Sequence, residues 1–170
     1  YNEQTEVSIK AWRTGGSKMF IREGTKVSIG DLLRGVIVQS GNDASIALAE
    51  HIAGGEAEFA YMMNEKALRL GLRNTNFVNA TGLPGDDHYS TANDLARLTI
   101  ELIKNHPNHY AIYAERSFEY NGINQTNRNK LLWRDLSVDG VKTGYTKKAG
   151  YCLVASATRD GMRLVSVVLG

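Results

Sequence analysis

The last third of the sequence constrains the fold most, because it contains two apolar, strand-like runs separated by a single turn. Residues 150–170, GYCLVASATRDGMRLVSVVLG, carry this turn signal at Asp160-Gly161. Asp-Gly and Asn-Gly pairs between such runs are typical of tight β-hairpins. Asn121-Gly122 gives the same signal within residues 117–125, SFEYNGINQ. The final third is therefore predicted to form antiparallel strands.

The middle of the sequence has helical periodicity instead. Ser28 and Asp31 form a capping-box-like start for a helix that should end near Gln39. A second helix is predicted from Asn42 or Asp43 to Gly54-Gly55, with an apolar face that includes Ile52. A third should span 56–70, and a fourth, capped by Thr91 and Asp94, should end before Pro107; residues 73–90 between them form a loop. Residues 40–42 then lie at a corner between two helices.

The first 30 residues contain short β-like runs. A strand is predicted at residues 7–12, and a hairpin is predicted to pair residues 19–21 with 26–29. Strands at both ends with helices between them favour an α+β layered domain whose sheet joins early and late segments. A chain of 170 residues with 42% hydrophobic residues has room for one domain.

Composition excludes several functional classes. A net charge of +2 and 22% charged residues indicate neither a disordered chain nor a polycationic nucleic-acid binder. No apolar run reaches the roughly 20 residues of a membrane-spanning helix. Cys152 is the single cysteine, so no intrachain disulfide can form, and the four histidines show no metal-ligand spacing.

Two short motifs carry the chemistry. Ser-Gly-Asn occupies residues 40–42 at the helix corner, and Lys-Thr-Gly occupies residues 142–144 in a predicted strand. Each alone is an ordinary turn or strand-edge tripeptide. Together and in this order they match two of the three signature motifs of class A β-lactamases and penicillin-binding proteins, the third being Ser-x-x-Lys.

Longer blocks of the sequence carry a closer resemblance. They are GVIVQSGNDASIALAEHIAG, GLRNTNF, STANDLARL, NRNKLLW, VDGVKTGYT and AGYCLVASATRDGMRLVSVVLG. The chain resembles, over essentially its whole length, the low-molecular-mass penicillin-binding proteins that are serine-type D-alanyl-D-alanine carboxypeptidases. The resemblance implies a β-lactamase/transpeptidase-like α+β fold, in which an antiparallel sheet packs with a helical subdomain.

The sequence departs from this family in one respect. None of its ten serines is followed by lysine three positions later, so it has no Ser-x-x-Lys motif. In the family this motif supplies the nucleophilic serine and its general-base lysine. We therefore expect residues 1–170 to be a single, incomplete domain whose N-terminal part, with the nucleophile, lies upstream. By itself such a chain is expected to be inactive.

The resemblance implies catalytic roles for three residues. Ser40 would relay a proton from the nucleophilic serine to the departing D-alanine nitrogen. Asn42 would donate its amide to a substrate carbonyl and orient the general-base lysine. Lys142 would raise the local positive potential, which keeps a neighbouring lysine deprotonated and attracts the terminal carboxylate of the substrate.

It also implies four substrate-binding residues. Thr143 and Arg128 would hold the substrate carboxylate, and arginine suits that task through its planar fork of donors. An extended peptide could pair with the strand edge as an added strand, which a side chain at Gly144 would obstruct. Gly140, which is not one of these four residues, and Gly144 have no side chains and would let backbone and substrate approach closely. The backbone N–H of Tyr145 would be one oxyanion-hole donor.

The expected partners are peptidoglycan stem peptides ending in D-Ala-D-Ala and β-lactam antibiotics. Nucleic acid is not expected, membrane contact would come only through regions outside these residues, and no metal or organic cofactor is implied. The family implies a bacterial periplasmic or extracytoplasmic location. Two alternatives stay open: a class A β-lactamase-like hydrolase, for which Glu101 is the one tempting general base, and a catalytically silent peptidoglycan-binding module.

Overall fold

The computed structural model describes residues 3–170, and in this part of the chain helices alternate with antiparallel strands. The α-helices are α1 (Ile9–Arg13), α2 (Ile29–Arg34), α3 (Asn42–Ala53), α4 (Glu56–Arg69), α5 (Ala92–Asn105), α6 (Pro107–Tyr110) and α7 (Leu131–Arg134). The strands are β1 (Gln4–Glu6), β2 (Lys26–Ser28), β3 (Ser117–Tyr120), β4 (Ile123–Thr126), β5 (Val138–Thr146), β6 (Gly150–Arg159) and β7 (Met162–Val168). A π-helical turn, Gly35–Gln39, continues α2. The predicted α+β class is confirmed.

The hydrophobic core surrounds α3. This helix packs against α1, α2 and α4. The core side chains are Val7, Ala11, Met19, Ile21, Val27, Leu32, Val38, Ala44, Ile46, Ala47, Leu48 and Phe118. Because α3 begins two residues after Ser40, the hydrophobic core lies directly behind the predicted helix corner.

The predicted ends of the longer helices are confirmed. The Ser28 hydroxyl accepts a hydrogen bond from the Asp31 N–H at 3.0 Å, and the Thr91 hydroxyl accepts one from the Asp94 N–H at 3.2 Å. The helix from Asn42 stops at Gly54, which has a positive φ of 79° that glycine adopts without strain. One detail of its apolar face is wrong, since Ile52 is exposed.

Of the predicted N-terminal strands, the one at residues 26–29 forms as β2, Lys26–Ser28, whereas those at residues 7–12 and 19–21 are wrong. Residues 9–13 form helix α1, because the Ser8 hydroxyl caps it by accepting the Ala11 N–H at 3.0 Å and Ala11 is fully buried. Residues 19–21 form no strand either. The strand β2 pairs instead with β1, with Thr5 opposite Val27. Local β propensity in this region is therefore overridden by a cap and by tertiary contacts.

The buried carboxylate of Asp43 explains the conformation of residues 19–21. It accepts backbone N–H bonds from Met19 at 2.8 Å, Phe20 at 2.9 Å and Ile21 at 3.3 Å, and from Ala44 at 2.9 Å. Three N–H groups that would otherwise join a sheet are therefore satisfied by one side chain. This contact ties the loop before β2 to the first turn of α3.

The C-terminal hairpins form as predicted. Strands β6 and β7 meet at the turn Asp160-Gly161, and β3 and β4 meet at Asn121-Gly122, with positive φ at all four residues. The three longest strands make one antiparallel sheet in the order β5-β6-β7, and α5 packs against β7. The prediction of one sheet joining early and late segments is wrong for residues 3–170, where β1 pairs only with β2.

No helix within the described residues is long and apolar enough to cross a membrane.

We expect Asp43→Asn to destabilise the protein by about 2 to 3 kcal/mol, because an amide nitrogen would replace one acceptor oxygen among several buried N–H donors. Urea unfolding at pH 7 measures the loss. The matched control is Asp160→Asn, an exposed turn position with φ of 50° that asparagine also tolerates. Equal stability of the two variants would contradict this account of residues 19–21.

Candidate active site

The structure brings Ser40 and Lys142 into direct contact, although they lie 102 residues apart in the sequence. The Lys142 ammonium donates to the Ser40 hydroxyl oxygen at 2.9 Å. It also donates to the Thr143 carbonyl at 2.8 Å. Ser40 comes from the helix corner and Lys142 from strand β5, so the two motifs face each other.

The corner that carries Ser40 is tightly built. Ser40 follows the π-helical turn and has a left-handed conformation, with φ of 63° and ψ of 37°, which is uncommon for serine. Gly41 has no room for a side chain, because a Cβ there would lie 2.9 Å from an Asp43 carboxylate oxygen and 3.0 Å from the Met19 nitrogen. The loop held by Asp43 thus packs directly against the residue that follows Ser40.

The surroundings of Lys142 favour its neutral form. Burial, and to a smaller extent the nearby positive charge of Arg128, together lower the pKa of Lys142 from 10.5 to about 8. A second cation beside a half-buried ammonium costs free energy, which the two hydrogen bonds of Lys142 offset only in part. Lys142 is therefore held as a donor that loses its proton more readily than an ordinary lysine.

A cavity of about 820 Å³ opens beside this pair. Five of the predicted site residues line it: Ser40, Arg128, Thr143, Gly144 and Tyr145. The remaining lining residues are Ser17, Thr126, Lys130, Tyr151, Cys152, Leu153, Val168 and Gly170. Among these described lining residues there is no Asp or Glu. The cavity is therefore positively charged and suits an anionic ligand.

The structure does not bring Asn42 to this cavity. Its side-chain amide nitrogen donates to the Gly15 carbonyl at 2.8 Å, and its backbone N–H donates to the Ser17 carbonyl at 2.8 Å. The side chain is only 7% exposed. A contact between this amide nitrogen and a ligand would require the bond to Gly15 to break.

The two glycines of β5 have different environments. A Cβ at Gly144 would lie 3.7 Å from the Cys152 Cβ, which is ordinary contact. A Cβ at Gly140 would lie 2.5 Å from the Tyr110 hydroxyl oxygen, so the close approach of Gly140 is to the protein interior. The expectation that Gly140 makes room for a ligand is wrong for that reason.

The sequence analysis did not predict several residues that line the cavity beside Ser40. Tyr151 and Cys152 pair with Tyr145 and Gly144 in the β5–β6 register, and the Tyr145 and Tyr151 rings lie 4.4 Å apart. The hairpin pattern could have revealed both, because paired residues share a sheet face. Ser17 and Thr126 carry no comparable sequence signal.

The other candidate sites lie outside the cavity beside Ser40. Glu101 accepts a hydrogen bond from the Asn105 amide at 2.6 Å within α5 and does not line the cavity beside Ser40. An apolar cavity of about 740 Å³ beside α4 contains none of the predicted site residues. Within residues 3–170 there is no cluster of three His, Cys, Asp or Glu side chains that could hold a metal ion.

We expect Lys142→Met to be more stable than wild type by about 1 to 3 kcal/mol at pH 7. At this pH the Lys142 ammonium is less favourable in the folded than in the unfolded state, as its lowered pKa indicates. The native state binds fewer protons than the unfolded state between pH 8 and 10.5. Wild-type stability relative to the variant should therefore rise with pH across this window. Urea unfolding from pH 7 to 10.5 measures it, with the exposed Lys147→Met as control. A difference that is constant with pH would contradict the burial of Lys142.

Comparison with known proteins finds similar sequences and similar structures. The D-alanyl-D-alanine carboxypeptidase family matches residues 1–170. The D-alanyl-D-alanine carboxypeptidase DacC of Escherichia coli (strain K12) is 50% identical over 175 residues, which cover 99% of this chain and 44% of the relative. The chain thus spans less than half the length of this curated relative.

Solved structures show the same fold. Penicillin binding protein 5 from Haemophilus influenzae superposes with a TM-score of 0.95 at 48% identity, covering 99% of this chain and 51% of the other. The D-alanyl-D-alanine carboxypeptidase DacD from Francisella tularensis gives a TM-score of 0.95 at 36% identity, covering 99% and 54%. The predicted fold and family are confirmed, and the chain belongs to the D-alanyl-D-alanine carboxypeptidase family of serine peptidases.

Proposed function

We propose that this chain is the larger part of a domain that removes the terminal D-alanine from peptidoglycan stem peptides through a serine acyl-enzyme. The observation that carries the proposal is the hydrogen bond between Lys142 and Ser40 at the wall of a positively charged cavity. Family membership supports the same reaction class. The nucleophile would belong to a Ser-x-x-Lys segment outside these 170 residues, which contain none.

In this proposal Ser40 carries the proton from the attacking serine to the departing amine. Lys142 touches its hydroxyl oxygen, so a positive charge lies where the proton is transferred. General acid–base assistance of this kind contributes about 100- to 10,000-fold to a rate. The lowered pKa of Lys142 brings its proton affinity closer to that of the groups it would serve at neutral pH.

Arg128 and Thr143 would bind the terminal carboxylate of the substrate. Both line the cavity, and the charge of Arg128 is near enough to lower the pKa of Lys142. Strand β5 is at the edge of its sheet within the described residues, so its free side can accept an extended peptide as an added strand. The Tyr145 N–H would then donate to the developing oxyanion.

The proposed partners follow from this chemistry. Stem peptides ending in D-Ala-D-Ala would be the substrates, and β-lactams would acylate the same serine because their strained amide carries a carboxylate in a similar position. The relative from Haemophilus influenzae is named a penicillin binding protein, which supports this expectation. The matched relatives are bacterial, and we place the protein on the extracytoplasmic side, where its substrate is found.

A class A β-lactamase is not favoured. That reaction needs a glutamate to activate the deacylating water. Glu101 is bonded to Asn105 and lies outside the cavity. A silent peptidoglycan-binding module would not require a lysine buried against the Ser40 hydroxyl at a cost in stability.

We expect Lys142→Ala to slow acylation of the full-length protein by fluorescent penicillin by at least about 100-fold, since the proton-transfer site loses its cation. Gel fluorescence over a time course measures the rate. The control is Lys147→Ala in the exposed turn after β5, which should label like wild type. No labelling of the wild-type protein, or equal rates for the two variants, would refute the proposed function.

We expect Gly144→Ala to reduce acylation by at least about tenfold while the melting temperature changes little. The added methyl group would make only ordinary contact with Cys152, so the fold has room for it. The same methyl group would obstruct a peptide lying along β5. Labelling rate and thermal unfolding are measured together. Normal labelling would contradict binding along this strand.

A further inference from the structure

Residues 127–129, Asn-Arg-Asn, lie between the two halves of the site. Arg128 is exposed and lines the cavity. The asparagines on either side are buried, with Asn127 2% and Asn129 1% exposed. Buried amides are costly unless they are hydrogen-bonded, so their partners indicate what this segment does.

The first contact reaches the Ser40 side of the site. Arg128 Nε donates to the carbonyl oxygen of Gln39 at 3.0 Å. Gln39 is the last residue of the π-helical turn and immediately precedes Ser40. A hydrogen bond to this carbonyl therefore fixes the peptide group between Gln39 and Ser40, and with it the direction of the Ser40 side chain.

The second contact reaches the Lys142 side. The Asn129 amide nitrogen donates to the Gly140 carbonyl at 3.0 Å, two residues before Lys142. On its other side Gly140 packs against Tyr110, whose hydroxyl leaves no space for a Cβ. The Tyr110 hydroxyl in turn is hydrogen-bonded to Ser156 of the neighbouring strand β6. Gly140 is thus held between Asn129 and Tyr110.

The third contact makes the segment itself rigid. The Asn127 amide oxygen accepts the Asn129 N–H at 2.9 Å, and its amide nitrogen donates to the Glu115 carbonyl at 2.9 Å. The Asn127 backbone N–H donates to the Arg116 carbonyl at 2.7 Å. The two asparagine side chains therefore connect the segment to the start of β3 as well as to β5.

We propose that residues 127–129 act as a brace that sets the separation of Ser40 and Lys142, with Asn129 as the positioning residue for Lys142. One arm holds the carbonyl before Ser40 and the other holds the carbonyl of Gly140. The catalytic meaning of the brace rests on the proposed function, but the brace itself is a property of the fold. Loss of Asn129 would free the start of β5 and let the Lys142 ammonium leave Ser40 for water.

The test compares Asn129→Leu with Asn64→Leu. Both replacements are close in shape to asparagine and remove an amide that bonds the backbone. Asn64 donates to the Phe77 carbonyl at 2.7 Å and accepts the Phe77 N–H at 2.8 Å, on α4 and outside the residues that line the cavity. Asn64→Leu therefore reports the stability cost alone.

Two readouts are measured for each variant. The pKa of Lys142 is followed by NMR titration in the full-length protein and compared with the lowered value of wild type. Acylation by fluorescent penicillin is followed across pH in the full-length protein. Asn129→Leu should raise this pKa by about one unit or more and lower the limiting acylation rate at least tenfold, with a smaller change in half-saturating penicillin. Asn64→Leu should change neither.

Unchanged Lys142 titration in a folded Asn129→Leu variant would overturn the brace. If that variant does not fold, the wild-type chain still decides: the Asn129 amide protons should exchange with solvent far more slowly than a free amide and show coupling to the Gly140 carbonyl carbon. Free exchange would also overturn it. If no protein is acylated while the Lys142 pKa shifts as expected, the proposed function fails and the brace stands.

Discussion

The buried carboxylate of Asp43 is the interaction on which the site depends most. It accepts N–H bonds from residues 19–21 and from Ala44, and so fastens an irregular loop to the start of α3. Gly41 fits only because it has no side chain between this carboxylate and Met19. The left-handed turn at Ser40 is thereby held from behind by a charge-assisted network, which is stronger than neutral hydrogen bonds of the same number. A mobile corner could not keep a hydroxyl against Lys142.

Lys142 illustrates how the site works against stability. Its ammonium is half-buried, it lies near Arg128, and no Asp or Glu among the described lining residues compensates the charge. A carboxylate close to Lys142 would stabilise the native state, but it would also compete with an anionic ligand for the two cations. The free energy of folding that is lost at Lys142 is offset elsewhere, for example by the hydrophobic core around α3. Functional sites commonly keep strain or uncompensated charge because their activity requires groups that lower stability.

The sequence predicted those features whose physical cause is local. Ser28 and Thr91 cap helices through N–H groups three residues away, and Asn121-Gly122 and Asp160-Gly161 specify their own hairpins. Residues 7–12 were mispredicted although their signal is local, since the Ser8 hydroxyl caps helix α1 by accepting the Ala11 N–H. The strand at residues 19–21 was mispredicted because its conformation depends on a distant group. The N–H groups of residues 19–21 are taken by a carboxylate 22 to 24 residues further along the chain. No local pattern contains that information.

The same distinction separates the motif residues from the brace. Ser40 and Lys142 are visible in the sequence because their chemistry requires particular side chains, and the structure brings them together at 2.9 Å. Asn127 and Asn129 act on backbone carbonyls and N–H groups, which every residue possesses, so their partners leave no mark in the sequence. The orientation of a side chain is hidden for a similar reason: the Asn42 amide nitrogen, expected to donate to a substrate carbonyl, donates to the Gly15 carbonyl in this structure. Residues that position a site through the backbone therefore become visible only when the fold supplies their partners.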